Sequence, residues 1–185
     1  MNRMNKACFL DRDGVVNVEV DYLYEPDKVA IVEGTAEALR RLKELGFLRI
    51  VVTNQGGVAR GMYGEEDIQA VHRRIRELLA AEGAEIDAFY HCPHHEKFTG
   101  ECPCRKPAPG MLLAAAREHD IDMARSFMVG DRLSDLEAGR NGGCAVSYLV
   151  RTGYGEKVLE EASVPPEYPV VDNLLAAVND FIRRG

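Results

Sequence analysis

The chain has 185 residues, a net charge of −7, 46% hydrophobic and 29% charged residues, the profile of one globular domain over 1–185 with enough length for a real core. The acidic balance argues against a nucleic-acid partner, and no apolar run approaches the ~20 residues that cross a bilayer. The start, Met1-Asn2-Arg3-Met4-Asn5-Lys6, lacks a long apolar region and a small-residue cleavage site, so a cytoplasmic protein is expected. In a reducing compartment five cysteines favour a metal site over a disulfide framework.

The first element is a buried strand, the apolar run Ala7-Cys8-Phe9-Leu10, which runs into Asp11-Arg12-Asp13-Gly14. Ligands of an open parallel sheet sit beyond the carboxyl ends of its strands, which puts Asp11 and Asp13 where chemistry is done. Two carboxylates this close repel unless a cation or shared proton intervenes, and a hard divalent cation such as Mg²⁺ resolves the repulsion. The polar loop that follows, with Glu19, Val20, Asp21 and Tyr22, is positioned to wall a pocket. Residues 34–45 carry apolar positions at helical spacing and stop at Gly46. A β-branched strand at 47–52 then ends in Thr53-Asn54-Gln55-Gly56-Gly57, where glycines and small donors suit an anion. Residues 65–82 read as a long helix with Arg73, Arg74 and Arg76 on a solvated face and His72 as a surface or packing residue.

A third strand is expected at 86–90. It leads into Cys92-Pro93-His94, a short loop, and Cys102-Pro103-Cys104. Cys92, His94, Cys102 and Cys104 suit tetrahedral Zn²⁺ with no open position, hence a structural zinc loop at 91–105. His91 and His95 compete for the histidine place; His94 is favoured because Cys-x-His can bring both side chains to one side. Arg105 and Lys106 follow directly, just before a helix expected at 111–118, whose positive end makes an anion site. Cys8 and Cys144 read as small buried hydrophobes. A fourth strand at 126–129 ends in Gly130-Asp131-Arg132-Leu133-Ser134-Asp135, suited to complete a metal site begun by Asp11 and Asp13. A short helix at 136–140, a strand at 145–150, a loop at 151–155, a proline-rich tail and a helix at 173–183 close the chain.

Asp-x-Asp-Gly, Thr-Asn-Gln, Arg-Lys-Pro and Gly-Asp-Arg-x-x-Asp, in that order and at strand ends or helix starts, resemble the haloacid dehalogenase-like superfamily of Mg²⁺-dependent phosphotransferases. The resemblance implies an α/β, doubly wound Rossmann-like parallel sheet. It implies Asp11 as nucleophile, Asp13 as general acid and base, and Thr53 and Lys106 as holders of the phosphoryl oxygens. Mg²⁺ would be held by Asp11, Asp131 and the backbone carbonyl of Asp13. The segments between motifs are too short for a large cap, so specificity is expected from loops.

Cys-x-His…Cys-x-Cys-Arg-Lys-Pro resembles two branches, the heptose bisphosphate phosphatases and the histidinol-phosphate phosphatases. The run from Thr53 to Tyr63 is similar to the heptose branch. That likeness implies removal of the 7-phosphate of D-glycero-D-manno-heptose 1,7-bisphosphate, in nucleotide-activated heptose biosynthesis. Arg105 would contact the retained 1-phosphate. Glu19, Val20, Asp21, Tyr22, Thr53, Asn54, Gln55 and Gly56 would line the sugar site, with Lys106 and Arg132 on phosphate. Arg132 departs from the lysine usual at its place, and the two cations differ in geometry. The expected partner is a small sugar phosphate met by a monomer, without nucleic acid or membrane. The competing readings are a histidinol-phosphate phosphatase, a DNA 3′-phosphatase and a non-catalytic zinc-stabilised binding module, the last of which would require a lost motif.

Overall fold

A computed structural model describes residues 4–184; Met1-Asn2-Arg3, on which the expected lack of a leader partly rests, and Gly185 lie outside the described residues. Six strands, β1 (Lys6–Leu10), β2 (Phe47–Asn54), β3 (Ala88–Cys92), β4 (Phe127–Gly130), β5 (Val146–Val150) and β6 (Val170–Val171), form one sheet in the order β3-β2-β1-β4-β5-β6. Every pairing is parallel. The chain winds outward from β1 to β3, then returns to the middle and winds the other way from β4 to β6. This is the expected doubly wound α/β sheet, and its switch point lies between β1 and β4, where a crevice opens at the carboxyl ends. Asp11 and Asp131 are the first residues beyond those two strands.

Both faces of the sheet are covered, which is why its central strands are continuously apolar. Side chains alternate along β1: Cys8 and Leu10 point to one core, Ala7 and Phe9 to the other. The first core is closed by α1 (Thr35–Glu44), α2 (Glu65–Ala81) and α7 (Leu174–Arg184), through Leu39, Leu42, Val71, Ile75, Leu79, Leu174 and Val178. The second is closed by α4 (Gly110–Glu118) and α5 (Leu133–Asn141), through Met111, Leu112, Ala115 and Ala138. The short helices α3 (Glu96–Thr99) and α6 (Gly155–Glu161) lie in the connections after β3 and β5. Among the described residues no connection forms a separate cap.

Several elements differ from expectation. β3 begins and ends two residues late, and its pairing runs from Ile50–Ala88 to Asn54–Cys92. That register carries Cys92 to the strand's carboxyl end, level with the polar end of β2. The helix expected at 136–140 starts at Leu133, because the Asp135 carboxylate accepts the Arg132 N–H at 3.0 Å and caps the chain three residues earlier. Strand β6, only two residues long, and α6 were not expected. Arg76 is not merely solvated: it donates to the Ile86 carbonyl at 2.6 Å and its guanidinium lies 4.8 Å from the Phe89 ring centre. His72 is buried and stacked on Phe89 at 4.2 Å. Cys144 is only partly buried and precedes β5.

Candidate active site

Three buried carboxylates meet at the switch point. Asp11 after β1, Asp131 after β4 and Asp135 in the first turn of α5 bring oxygens within 4.8 Å of one another. Lys106 is buried beneath them. Its Nζ donates to Asp11 Oδ1 at 2.8 Å and the Val52 carbonyl at 2.7 Å, and lies 2.7 Å from Asp135 Oδ1. All three ammonium protons are thereby used. Burial alone lowers the pKa of Lys106, but Asp11 and Asp135 outweigh it and the net shift is upward. The expectation that the end of the following helix sets this charge is corrected: α4 begins at Gly110, and carboxylates across the sheet hold Lys106.

The backbone around Lys106 is fixed by Asn54, whose Oδ1 accepts the Lys106 N–H at 3.0 Å and whose Nδ2 donates to its carbonyl at 3.1 Å. Asn54 thus ties the end of β2 to the basic segment. Asp131 Oδ2 accepts the Tyr154 N–H at 2.8 Å. A Cβ at either Gly14 or Gly153 would fall 2.2 Å from that oxygen, so the two glycines let the β1 and β5 loops close around Asp131. Both have positive φ, +86° and +61°. Asp135 Oδ2 accepts two backbone N–H groups, those of Asp131 at 3.1 Å and Arg132 at 3.0 Å. With its Oδ1 on Lys106, Asp135 orients the loop and the ammonium. Asp131 Oδ1 is buried with no partner among the described residues.

The charge is out of balance: three carboxylates face one ammonium. Burial, then Asp135, push Asp11 up to about 6 against the pull of Lys106. Burial, then Asp11 and Asp135, push Asp131 up to about 9. One divalent cation would cancel the excess of two negative charges, and the unpartnered Asp131 oxygen gives it a ligand. The donor set therefore fits Mg²⁺.

Asp13 stands at the edge of this centre. Its Oδ1 accepts from Asn17 Nδ2 at 2.9 Å and its Oδ2 from Gln55 Nε2 at 3.1 Å. Gln55 Nε2 also reaches Thr53 Oγ1 at 2.9 Å, which leaves the threonine hydroxyl proton free to donate. Above lies an open cleft of about 490 Å³. Its lining includes the expected Glu19, Val20, Asp21, Tyr22, Asn54, Gln55, Gly56, Arg105 and Arg132, together with Asp11, Asp13, Thr53 and Lys106. Glu19 is pushed up to about 7, by burial first and then by Asp13 and Asp11. Arg105 Nη1 donates to the His94 carbonyl at 3.1 Å, and the Arg132 guanidinium lies 3.8 Å from the Tyr154 ring centre.

The second centre is the thiolate loop. Cys92, His94, Cys102 and Cys104 bring their ligand atoms within 4.8 Å of one another. The Cys92 and Cys102 sulfurs are 3.4 Å apart, Cys102 and Cys104 3.2 Å, and His94 Nδ1 lies 3.4 Å from Cys104 Sγ. Three cysteine sulfurs and one imidazole nitrogen gathered this closely make a four-ligand set that fits Zn²⁺. His91 instead meets Glu65 at 2.8 Å, and His95 faces Arg60 at 3.1 Å. Sequence reasoning gave no site role to Tyr154, Gly153 or Arg60, which also contribute to the cleft or its floor. The signal for the first two was the Gly-Tyr-Gly loop at the end of a fifth parallel strand.

A doubly wound sheet with a cation-ready carboxylate centre at its switch point, a buried lysine and a cleft lined by Arg60, Arg105 and Arg132 suits the class of Mg²⁺-dependent phosphotransferases. The HAD-hydrolase-like family matches residues 103–177. A D-glycero-D-manno-heptose-1,7-bisphosphate 7-phosphatase of Thermosynechococcus vestitus is 42% identical over 184 residues, covering 93% of each chain. The D-glycero-beta-D-manno-heptose-1,7-bisphosphate 7-phosphatase of Yersinia pestis is 45% identical over 158 residues, 83% of this chain and 84% of that one. The crystal structure of a D,D-heptose 1,7-bisphosphate phosphatase from B. bronchiseptica, complexed with magnesium and phosphate, superposes with a TM-score of 0.88 at 36% identity, covering 97% of this chain and 99% of that one. The chain belongs to the heptose bisphosphate phosphatase family of the HAD-like hydrolases.

Proposed function

We propose that the protein is a Mg²⁺-dependent phosphatase that converts D-glycero-D-manno-heptose 1,7-bisphosphate to heptose 1-phosphate, the reaction named for its relatives. The observation that carries the reading is the charge deficit at the switch point, directly below a cleft walled by Arg105 and Arg132. Asp11, Asp131 and the Asp13 carbonyl would hold Mg²⁺, which supplies charge neutralisation for a dianionic phosphate approaching a carboxylate. Asp11 attacks phosphorus, and the bond to the sugar oxygen breaks while Asp13 gives that oxygen a proton. Asp13, now a carboxylate, takes a proton from water, whose oxygen attacks the aspartyl-phosphate and frees Asp11. Lys106 holds the Asp11 carboxylate in one rotation, and the Thr53 hydroxyl donates to a phosphoryl oxygen.

Cys92, His94, Cys102 and Cys104 would hold a structural Zn²⁺, which clamps residues 91–105 and so places Arg105. Arg105 reads the retained phosphate, and Glu19 to Tyr22 with Thr53 to Gly56 contact the sugar. On this reading residues 1–185 act as one phosphatase domain and as a monomer, and residues of this one chain line the cleft. The free cysteines and the phosphorylated substrate suit the cytoplasm.

The test is a substrate panel with a variant. The heptose bisphosphate should be turned over faster than histidinol phosphate or 3′-phosphorylated DNA. A charge-assisted phosphate contact is worth about 1.5–3 kcal/mol, so Arg105→Ala should lower kcat/KM for the bisphosphate by roughly tenfold or more. Small monophosphates should be nearly unaffected. Preference for histidinol phosphate would move the chain to that branch's activity, and equal losses on both substrate classes would remove the role of Arg105.

A further inference from the structure

The residue between the two motif aspartates has no place in the mechanism so far. Arg12 is 0% exposed and is among the largest fully buried side chains. Its guanidinium folds back on its own neighbour: Nη2 lies 2.9 Å from Asp13 Oδ1 and 3.0 Å from Oδ2, and Nε lies 3.2 Å from Oδ1. Nη2 also reaches the Leu23 carbonyl at 3.4 Å. Nη1 is buried with no partner among the described residues. As a stability device this is poor, since a buried ion pair commonly does no better than apolar side chains of the same volume, and an unpartnered N–H adds cost. Its geometric effect is specific. The Arg12 carbonyl accepts from the N–H groups of Val16 at 2.9 Å and Asn17 at 3.1 Å, so the residue is held at both ends. Arg12 and Asn17 load Asp13 Oδ1 with three contacts. Oδ2 takes one Arg12 contact and faces Gln55, which also binds Thr53.

We infer that Arg12 is a positioning residue that fixes the Asp13 carboxylate so that Oδ2 carries the proton exchanged with the reacting oxygen. The inference rests on the reading of Asp13 as acid and base given above. A misplaced Asp13 carboxylate impairs each proton transfer, and where the leaving group needs no proton the loss falls on the second step. There the water oxygen bonds to phosphorus, the bond from phosphorus to the Asp11 oxygen breaks with its electron pair returning to Asp11, and the water proton passes to Asp13 Oδ2. The first step with an alkyl ester also needs Asp13, whereas a 4-nitrophenolate leaves without a proton.

The test uses the Mg²⁺-loaded full chain and 4-nitrophenyl phosphate under rapid mixing. Arg12→Met should release one 4-nitrophenolate per enzyme in a burst, then turn over roughly a hundredfold more slowly than the unmodified protein. Arg12→Lys, which keeps the buried charge without the fork, should show the same burst with a loss of roughly tenfold, and it decides the matter alone if Arg12→Met fails to fold. Asp13→Asn is the reference. A burst there with unchanged steady rates in the folded Arg12 variants overturns the role of Arg12 and leaves Asp13 intact. Normal turnover by Asp13→Asn overturns the reading of Asp13 itself. The Mg²⁺ concentration for half-activation should stay unchanged in the Arg12 variants; a large rise without a burst would assign Arg12 to the metal site and sink the inference.

Discussion

Two regions of this molecule are built to take a cation, and they are built differently. The carboxylate centre draws its members from β1, β4 and α5, elements far apart in sequence, and is buried in the middle of the sheet. The thiolate loop draws all four members from thirteen consecutive positions at the sheet's edge, most of them partly exposed. The first leaves a buried oxygen unpartnered among the described residues and opens on the cleft, while the second closes on itself. Hard oxygen ligands with an open position serve chemistry, and four soft or borderline ligands serve architecture. On the proposed function the difference places reaction at one centre and shape at the other.

The sharpest way to break the comparison is at Asp11. Asp11→Asn keeps the volume and the link to Lys106 but cannot form an acyl-phosphate. Turnover should fall on the order of 10⁴-fold or more, with the fold retained by circular dichroism. Near-normal activity would mean that another group attacks phosphorus. Next comes the metal. Brief chelation that strips the oxygen centre and spares zinc should abolish activity, and Mg²⁺ alone should restore it. Recovery that needs Zn²⁺ would reverse the two assignments.

Lys106→Met should cost stability as well as activity. It leaves Asp11 and Asp135 buried without their cation, and breaking one side of such a pair costs about 3–5 kcal/mol. Urea unfolding with and without Mg²⁺ should show part of that loss recovered by the metal. Cys102→Ser, by contrast, should lower zinc content, drop Tm by several degrees and raise KM through a loosened Arg105, while the Mg²⁺ dependence stays as it was. A change in Mg²⁺ dependence would show that the two centres are not separable.

The smallest effect lies away from both. Burial, then Arg12 and His91, hold His72 down to about 3 against an ordinary 6.5. The unfolded chain therefore binds a proton that the folded chain refuses between those values. Stability is complete above about pH 6.5 and falls as pH drops toward 3, by about 2 kcal/mol at pH 5. His72→Phe should flatten that acid limb in urea titrations. An unchanged slope would mean that His72 titrates in the folded state.

Much of this was legible because strand ends announce themselves. An apolar run that stops at Asp11, Thr53 or Asp131 marks both the end of a buried strand and the mouth of the crevice. The Cys and His spacing was legible for the same reason of locality. What was missed is instructive. The role of Asp135 needs the third dimension: an acid four residues after Asp131 reads as a helix cap, which it is, and only packing shows its second oxygen on Lys106. Arg12, flanked by two acids, drew no reading from the sequence, yet it is fully buried. The loop at 151–155 looked like a plain connection, because the contact that matters there is a backbone N–H, that of Tyr154 on Asp131. A backbone donor leaves no mark in composition. β6 pairs through two residues, too few for any periodicity.

The central claim is that the buried carboxylate after β1 takes the phosphoryl group. Rapid quench of the Mg²⁺-loaded enzyme during turnover, followed by proteolysis and mass spectrometry, measures this directly. With 4-nitrophenyl phosphate, whose leaving group needs no proton, the slow-hydrolysing Asp13→Asn protein provides the longest-lived sample. One phosphoryl group on the peptide carrying Asp11, labile to hydroxylamine as an acyl-phosphate should be, is the predicted result. A phosphoryl group on any other residue, or none in a sample that has released its alcohol product, would contradict the account.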